Sequence, residues 1–160
     1  MDMLDRVLLP LDFSEQSLMM VDCIAELKRF GMKEVILLNV FQRGSIVAEE
    51  SKEQMERSKE KLEAIGFKVW TTTVMGEPVE TILKVAKDEG ATAIAMASSG
   101  KGRAREFFVG STSLGVLRRS KIPVLLDKFR VVEEETGEIR IGVACFTMSV
   151  SYTHLRAHET

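Results

Sequence analysis

Histidine is almost missing from this chain. Both copies, His154 and His158, and the only tyrosine, Tyr152, fall within residues 150–160, "VSYTHLRAHET". That segment has no apolar periodicity and reads like a translated transposon-type sequencing adaptor. It is expected to be a non-native tail and is set apart from the fold. Without it, no Ser-His-Asp or Cys-His arrangement and no His-containing zinc site can be assembled. Cysteine is equally scarce. Cys23 and Cys145 are the only two, too few and too isolated for a disulfide framework or a metal site. They read as reduced, mostly buried thiols of a cytoplasmic protein. A basic excess is also lacking: the formal net charge is −2, which argues against a general nucleic-acid binder. No apolar run approaches the ~20 residues that span a bilayer. The opening "MDMLDRVLLPLDF" is too acidic and its apolar run too short for a signal peptide.

What is present fits one ordinary soluble domain. The 160 residues are 45% hydrophobic and 29% charged, a globular profile. Apolar runs and helical patterns alternate. "RVLLPL" (6–11) and "EVILLNVF" (34–41) read as strands buried on both faces. Between them, Ser14 can cap a helix carrying Met20, Ile24 and Leu27 on one face, ended by Gly31. Residues 46–66 form a charge-rich helix with a thin apolar stripe, Val47, Met55 and Leu62. Its charges read as a solvated face. "FKVWTTTVM" (67–75) alternates and suits an edge strand. Pro78 sits at a helix start, and Val79, Ile82, Leu83 and Ala86 follow the helical spacing. "ATAIAMA" (91–97) is a fourth strand. A helix starts near Ser111, and "IPVLL" (122–126) is a fifth strand.

Strict alternation with buried strands predicts an α/β fold with a five-stranded parallel sheet and helices on both faces. Residues 1–127 make up this domain. The stretch 128–149 is expected to be an acidic linker followed by either an extra strand (139–146) or the entry to a second unit. A truncation there is the preferred expectation.

In such a sheet ligands bind beyond the carboxyl ends of the strands, where strand order reverses. Asp12 closes the first strand. Its carboxylate can accept hydrogen bonds from a ribose or adenine, or hold Mg²⁺ through water; it can equally cap the next helix. Gly110-Ser111-Thr112-Ser113 opens a helix. Such a start offers free N–H groups and a partial positive charge to a phosphate, and it is also how many helices simply begin. Lys101, Arg103 and Arg105 can neutralise a polyphosphate or form a solvated loop. No G-x-x-x-x-G-K-[ST] loop and no dinucleotide glycine triplet is present. Strand three ends in "VMG", without an aspartate to accept a phosphoryl group.

Taken in order, these motifs resemble the universal stress protein family. Its nucleotide-binding members carry G-x-x-G, nine residues, then G-[ST]. Here Ala97-Ser98-Ser99-Gly100 is followed by nine residues and Gly110-Ser111. "VLLPLDFSEQS", "VMGEPVETILKVAKDEGATAIAMASSG" and "VLRRSKIPVLL" resemble the family's first strand, its G-x-P turn through fourth strand, and its last strand. The resemblance covers residues 4–127. It implies the adenine nucleotide alpha hydrolase-like sheet order 3-2-1-4-5 and ATP, or another adenine nucleotide with Mg²⁺, between strands one and four. Carried over, Pro10, Asp12 and Val40 would surround adenine and ribose. Ala97, Ser98, Ser99, Gly100, Lys101, Gly102 and Arg103, with Gly110, Ser111, Thr112 and Ser113, would hold the phosphates. The resemblance also implies a homodimer, often paired through the last strand, here 122–126. Ala97 departs from the pattern. If that position needs φ > 0, alanine costs on the order of 1 kcal/mol, and its Cβ can also push the loop away from a phosphate; together they predict a weakening of ~5–10-fold.

Three functions stand side by side. One is an ATP-binding regulatory module that meets a protein partner and hydrolyses ATP slowly or not at all, since no obvious general base is present. Another is a ligand-free dimerisation scaffold, which Ala97 favours. The third is a weak ATPase.

Overall fold

Runs of Val, Leu and Ile become strands here because both of their faces are covered. A computed structural model of the chain describes Asp2 and residues 4–97, 110–133 and 139–149. The elements are β1 (Arg6–Pro10), α1 (Glu15–Leu27), β2 (Glu34–Phe41), α2 (Glu49–Ile65), β3 (Lys68–Met75), α3 (Pro78–Asp88), β4 (Ala93–Ala97), α4 (Ser111–Arg119), β5 (Val124–Glu133) and β6 (Ile139–Ser149). The sheet order is β3-β2-β1-β4-β5-β6, and β1 to β5 are mutually parallel. The five parallel strands thus stand in the order 3-2-1-4-5.

Two cores flank the sheet. On one face Met20 and Ile24 of α1 and Met55 and Leu62 of α2 pack on Val7, Leu9, Val35 and Leu37. On the other, Ile82 and Ala86 of α3 and Val116 of α4 pack on Leu8, Ile36, Leu38 and Ile94. Alternating residues of β1 and β2 serve opposite cores, as the period-2 pleat requires. β3 alternates in exposure and lies at the edge. At the N-terminal ends of the strands, Arg6 Nη1 pairs with Glu34 Oε2 at 2.8 Å. Its guanidinium lies 4.6 Å from the Trp70 ring centre, which ties β1, β2 and β3 together.

The sequence and structure part at the last strands. α2 begins at Glu49 rather than 46. β5 begins at Val124, not 122, and runs on to Glu133, through residues expected to belong to a linker. Residues 139–149 form β6, which pairs antiparallel with β5 across a register shift between Asp127 and Phe129. Pairing between strands stabilises backbone that local composition alone would leave as coil. The expected tail, 150–160, lies outside the described residues. Among the described residues no helix is long and apolar enough to cross a membrane.

Candidate functional site

The chain runs outward from β1 through β2 to β3, then returns to lay β4 on the other side of β1. At that reversal the connections leave in opposite directions, and a crevice opens beyond the carboxyl ends of the strands. It has a volume of about 840 Å³. Pro10 and Asp12 enter it from the end of β1, Val40 from β2, Ala97 from β4, and Gly110, Ser111, Thr112 and Ser113 from the start of α4. Leu38, Ile82 and Met96 give it an apolar wall. The expected site residues Ser98, Ser99, Gly100, Lys101, Gly102 and Arg103, and Arg105 beside them, lie outside the described residues.

The β1–α1 turn is built link by link. The Leu11 N–H donates to the Leu38 carbonyl at 2.7 Å. Asp12 is exposed, and its Oδ1 accepts from the Ser14 N–H at 2.9 Å. Ser14 is the N-cap of α1 and accepts from the Ser17 N–H. Asp12 therefore braces the capping residue and does not itself cap the helix. Phe13, between them, has φ +60, a left-handed backbone that costs a residue with a Cβ about 1–2 kcal/mol. Its ring packs against the core on the α1 face. This strain gives a prediction. Phe13→Ala keeps the strained backbone and loses the ring, whereas Phe13→Gly loses the ring and the strain together. The glycine variant should be the more stable by about 1 kcal/mol, the reverse of the usual order, as read by urea unfolding.

Among the described residues no side chain caps the start of α4. Gly110 is the N-cap, with φ −60 and ψ 155, and supplies no side-chain cap. The helix gives its first N–H groups no acceptor of its own. Ser111 is exposed and Thr112 partly exposed, so both border the opening. Ser113 is buried, and its Oγ donates to the Ala97 carbonyl at 2.8 Å. That bond docks α4 on the end of β4.

Ala97 corrects an expectation. It is the last residue of β4, paired in register with Asp127. Among the described residues Phe13 is the only non-glycine with positive φ. The backbone cost considered for alanine at 97 does not arise, because strand geometry suits any residue with a Cβ.

Phe13, Ser17 and Ile46, which the sequence did not single out, also border the crevice, as does Asn39, which stands beside Val40 near the carboxyl end of the second strand. Asn39 carried a signal: an amide is buried at the end of an otherwise apolar strand, and such a group needs a partner. Ile46, 93% exposed at the lip, sat in what read as a helix start. The left-handed Phe13 gave no sign in its residue type.

The sequence model of the universal stress protein family matches residues 3–128. The chain belongs to that family. It is a stress-response protein by that membership. Universal stress protein MJ0577 of Methanocaldococcus jannaschii is 33% identical over 155 residues, covering 79% of this chain and 96% of the relative. The solved structure of MJ0577 superposes with a TM-score of 0.71 at 36% identity, covering 78% of this chain and 96% of that one. A universal stress protein in complex with cAMP matches with a TM-score of 0.61 at 22% identity, covering 76% and 94%. One from Archaeoglobus fulgidus in complex with dAMP matches with a TM-score of 0.58 at 19% identity, covering 77% and 96%. These last two share the fold with this universal stress protein.

Proposed function

We propose that this universal stress protein is an adenine-nucleotide-binding regulatory module that takes ATP with Mg²⁺ and hydrolyses it slowly or not at all. One observation carries the reading. A single crevice at the strand reversal joins the Asp12 carboxylate to the uncapped start of α4. The α4 amides and the Ser111 and Thr112 hydroxyls are donors suited to phosphate. Asp12 is an acceptor suited to ribose hydroxyls. Leu38, Ile82 and Met96 offer apolar surface to a base. The cAMP and dAMP complexes of fold neighbours accord with an adenine nucleotide in this architecture.

The described residues hold no group of three or more His, Cys, Asp or Glu able to cage a metal. Mg²⁺ would therefore arrive on the phosphates, with Asp12 as its one carboxylate, through water. It would supply charge neutralisation. The ligand-free scaffold reading drew on Ala97; the ordinary strand backbone there weakens its conformational argument, while the effect of the alanine Cβ on a phosphate is left to the binding measurement.

Binding would change the surface presented to a protein partner in the cytoplasm, where ATP is abundant. A homodimer is part of the reading. β6 pairs with β5 over residues 124–126, so a dimer built through that edge requires β6 to leave it.

Titration calorimetry with ATP and Mg²⁺ tests the proposal. Saturable heat is expected, and no heat at millimolar ATP would overturn it. Asp12→Ala should weaken binding about 10- to 100-fold, the worth of a charged hydrogen-bond acceptor.

A further inference from the structure

We infer that Asn39 is a positioning residue that sets the nucleotide affinity of the crevice through Asp12, an inference that rests on the proposed function. Asn39 is 9% exposed, at the carboxyl end of β2. Its Nδ2 donates to the Leu11 carbonyl at 2.9 Å. The Leu11 N–H is held by the Leu38 carbonyl. Both polar backbone groups of Leu11 are thus fixed from β2, by two consecutive residues. The next residue is Asp12, and the one after it is the left-handed Phe13.

A turn containing a strained residue persists only when its surroundings over-determine it. Within the turn, Asp12 and Ser14 hold each other, and Ser14 holds the start of α1. From beyond α1, among the described residues, Asn39 is the side chain that hydrogen-bonds residues 11–14. A carbonyl can only accept, so the amide must present its NH₂ to Leu11. Asn39 therefore couples the end of β2 to the direction in which the Asp12 carboxylate faces the crevice. It touches no ligand in this account and acts through Asp12.

Asn39→Asp keeps the shape but removes the donor and sets an acceptor against the Leu11 carbonyl. Asn39→His restores an N–H donor. The probes are ATP and 2′,3′-dideoxy-ATP, which differ only in the ribose hydroxyls that Asp12 would receive. Calorimetry on the wild type should show ATP bound about tenfold more tightly than the dideoxy analogue. In Asn39→Asp that preference should fall to about twofold or less, while the dideoxy analogue binds as before; Asn39→His should recover it. If Asn39→Asp weakens both nucleotides by the same factor, or neither, Asn39 is only a structural contact and the inference fails while the nucleotide reading stands. If the wild type binds neither nucleotide, the nucleotide reading fails and takes this inference with it.

Discussion

Gly110→Val should abolish measurable nucleotide binding and leave the fold standing. Gly110 has φ −60 and ψ 155, a region open to any residue, so valine brings no left-handed strain. What it brings is a branched side chain at the N-cap, over the N–H groups that α4 leaves open. A phosphate must approach those amides to within hydrogen-bond distance, and a Cβ with two methyls holds it off. The expected loss is about 100-fold or more in ATP affinity, against about 1 kcal/mol of stability from a poorer cap. Gly110→Ser separates the two effects. Its hydroxyl can accept from the first-turn amides, so stability should rise by about 0.3 kcal/mol while affinity falls. Calorimetry with ATP and Mg²⁺ and urea unfolding read the pair. Unchanged affinity in Gly110→Val would remove α4 from the site.

The second large effect concerns how α4 is held. A Cβ built on Gly115 would stand 2.7 Å from Val79 Cγ2 and 3.3 Å from Cγ1. Val79 is β-branched and stiff, so it cannot turn aside cheaply. Gly115 lets α4 lie against α3, and that contact fixes where the uncapped N-terminus points. An exposed helical glycine usually gains about 1 kcal/mol on replacement by alanine. Here Gly115→Ala should instead destabilise, and Gly115→Leu should cost about 3 kcal/mol. Both should weaken ATP as well, because α4 moves off the Ser113–Ala97 contact. Adding Val79→Ala to Gly115→Ala should recover stability, a coupling expected only of residues in contact. Additive losses in the double variant would contradict the packing account.

The sequence revealed the fold wherever the cause was local. Apolar runs of the right length marked β1 and β2. Ser14, Pro78 and Ser111 marked three helix starts. The order 3-2-1-4-5 came with the family resemblance. It failed where the cause was distant. Residues 128–133 read as linker because the acidic, turn-bearing run that begins at Glu133 follows at once, whereas their strand geometry comes from pairing with β6. The site divides in the same way. Pro10, Asp12, Val40, Ala97 and Gly110–Ser113 were visible as strand ends and a helix start, and the sheet reversal brings them to one crevice. The bond from Asn39 to Leu11 spans 28 positions, and the left-handed Phe13 follows from the turn it completes. Asn39 stands out in its apolar run as a group that needs a partner, but nothing at position 39 names Leu11 as that partner, and Phe13 carries no mark of its backbone.

The start of α4 and the Asp12 turn, as proposed, form one nucleotide site. Backbone amide chemical-shift mapping with ATP and Mg²⁺ tests it most directly. The largest shifts are expected at the amides of Ser111, Thr112 and Ser113, together with Leu11 to Ser14, all titrating with one affinity. Saturable shifts confined to other parts of the sheet, or none at millimolar ATP, would contradict it.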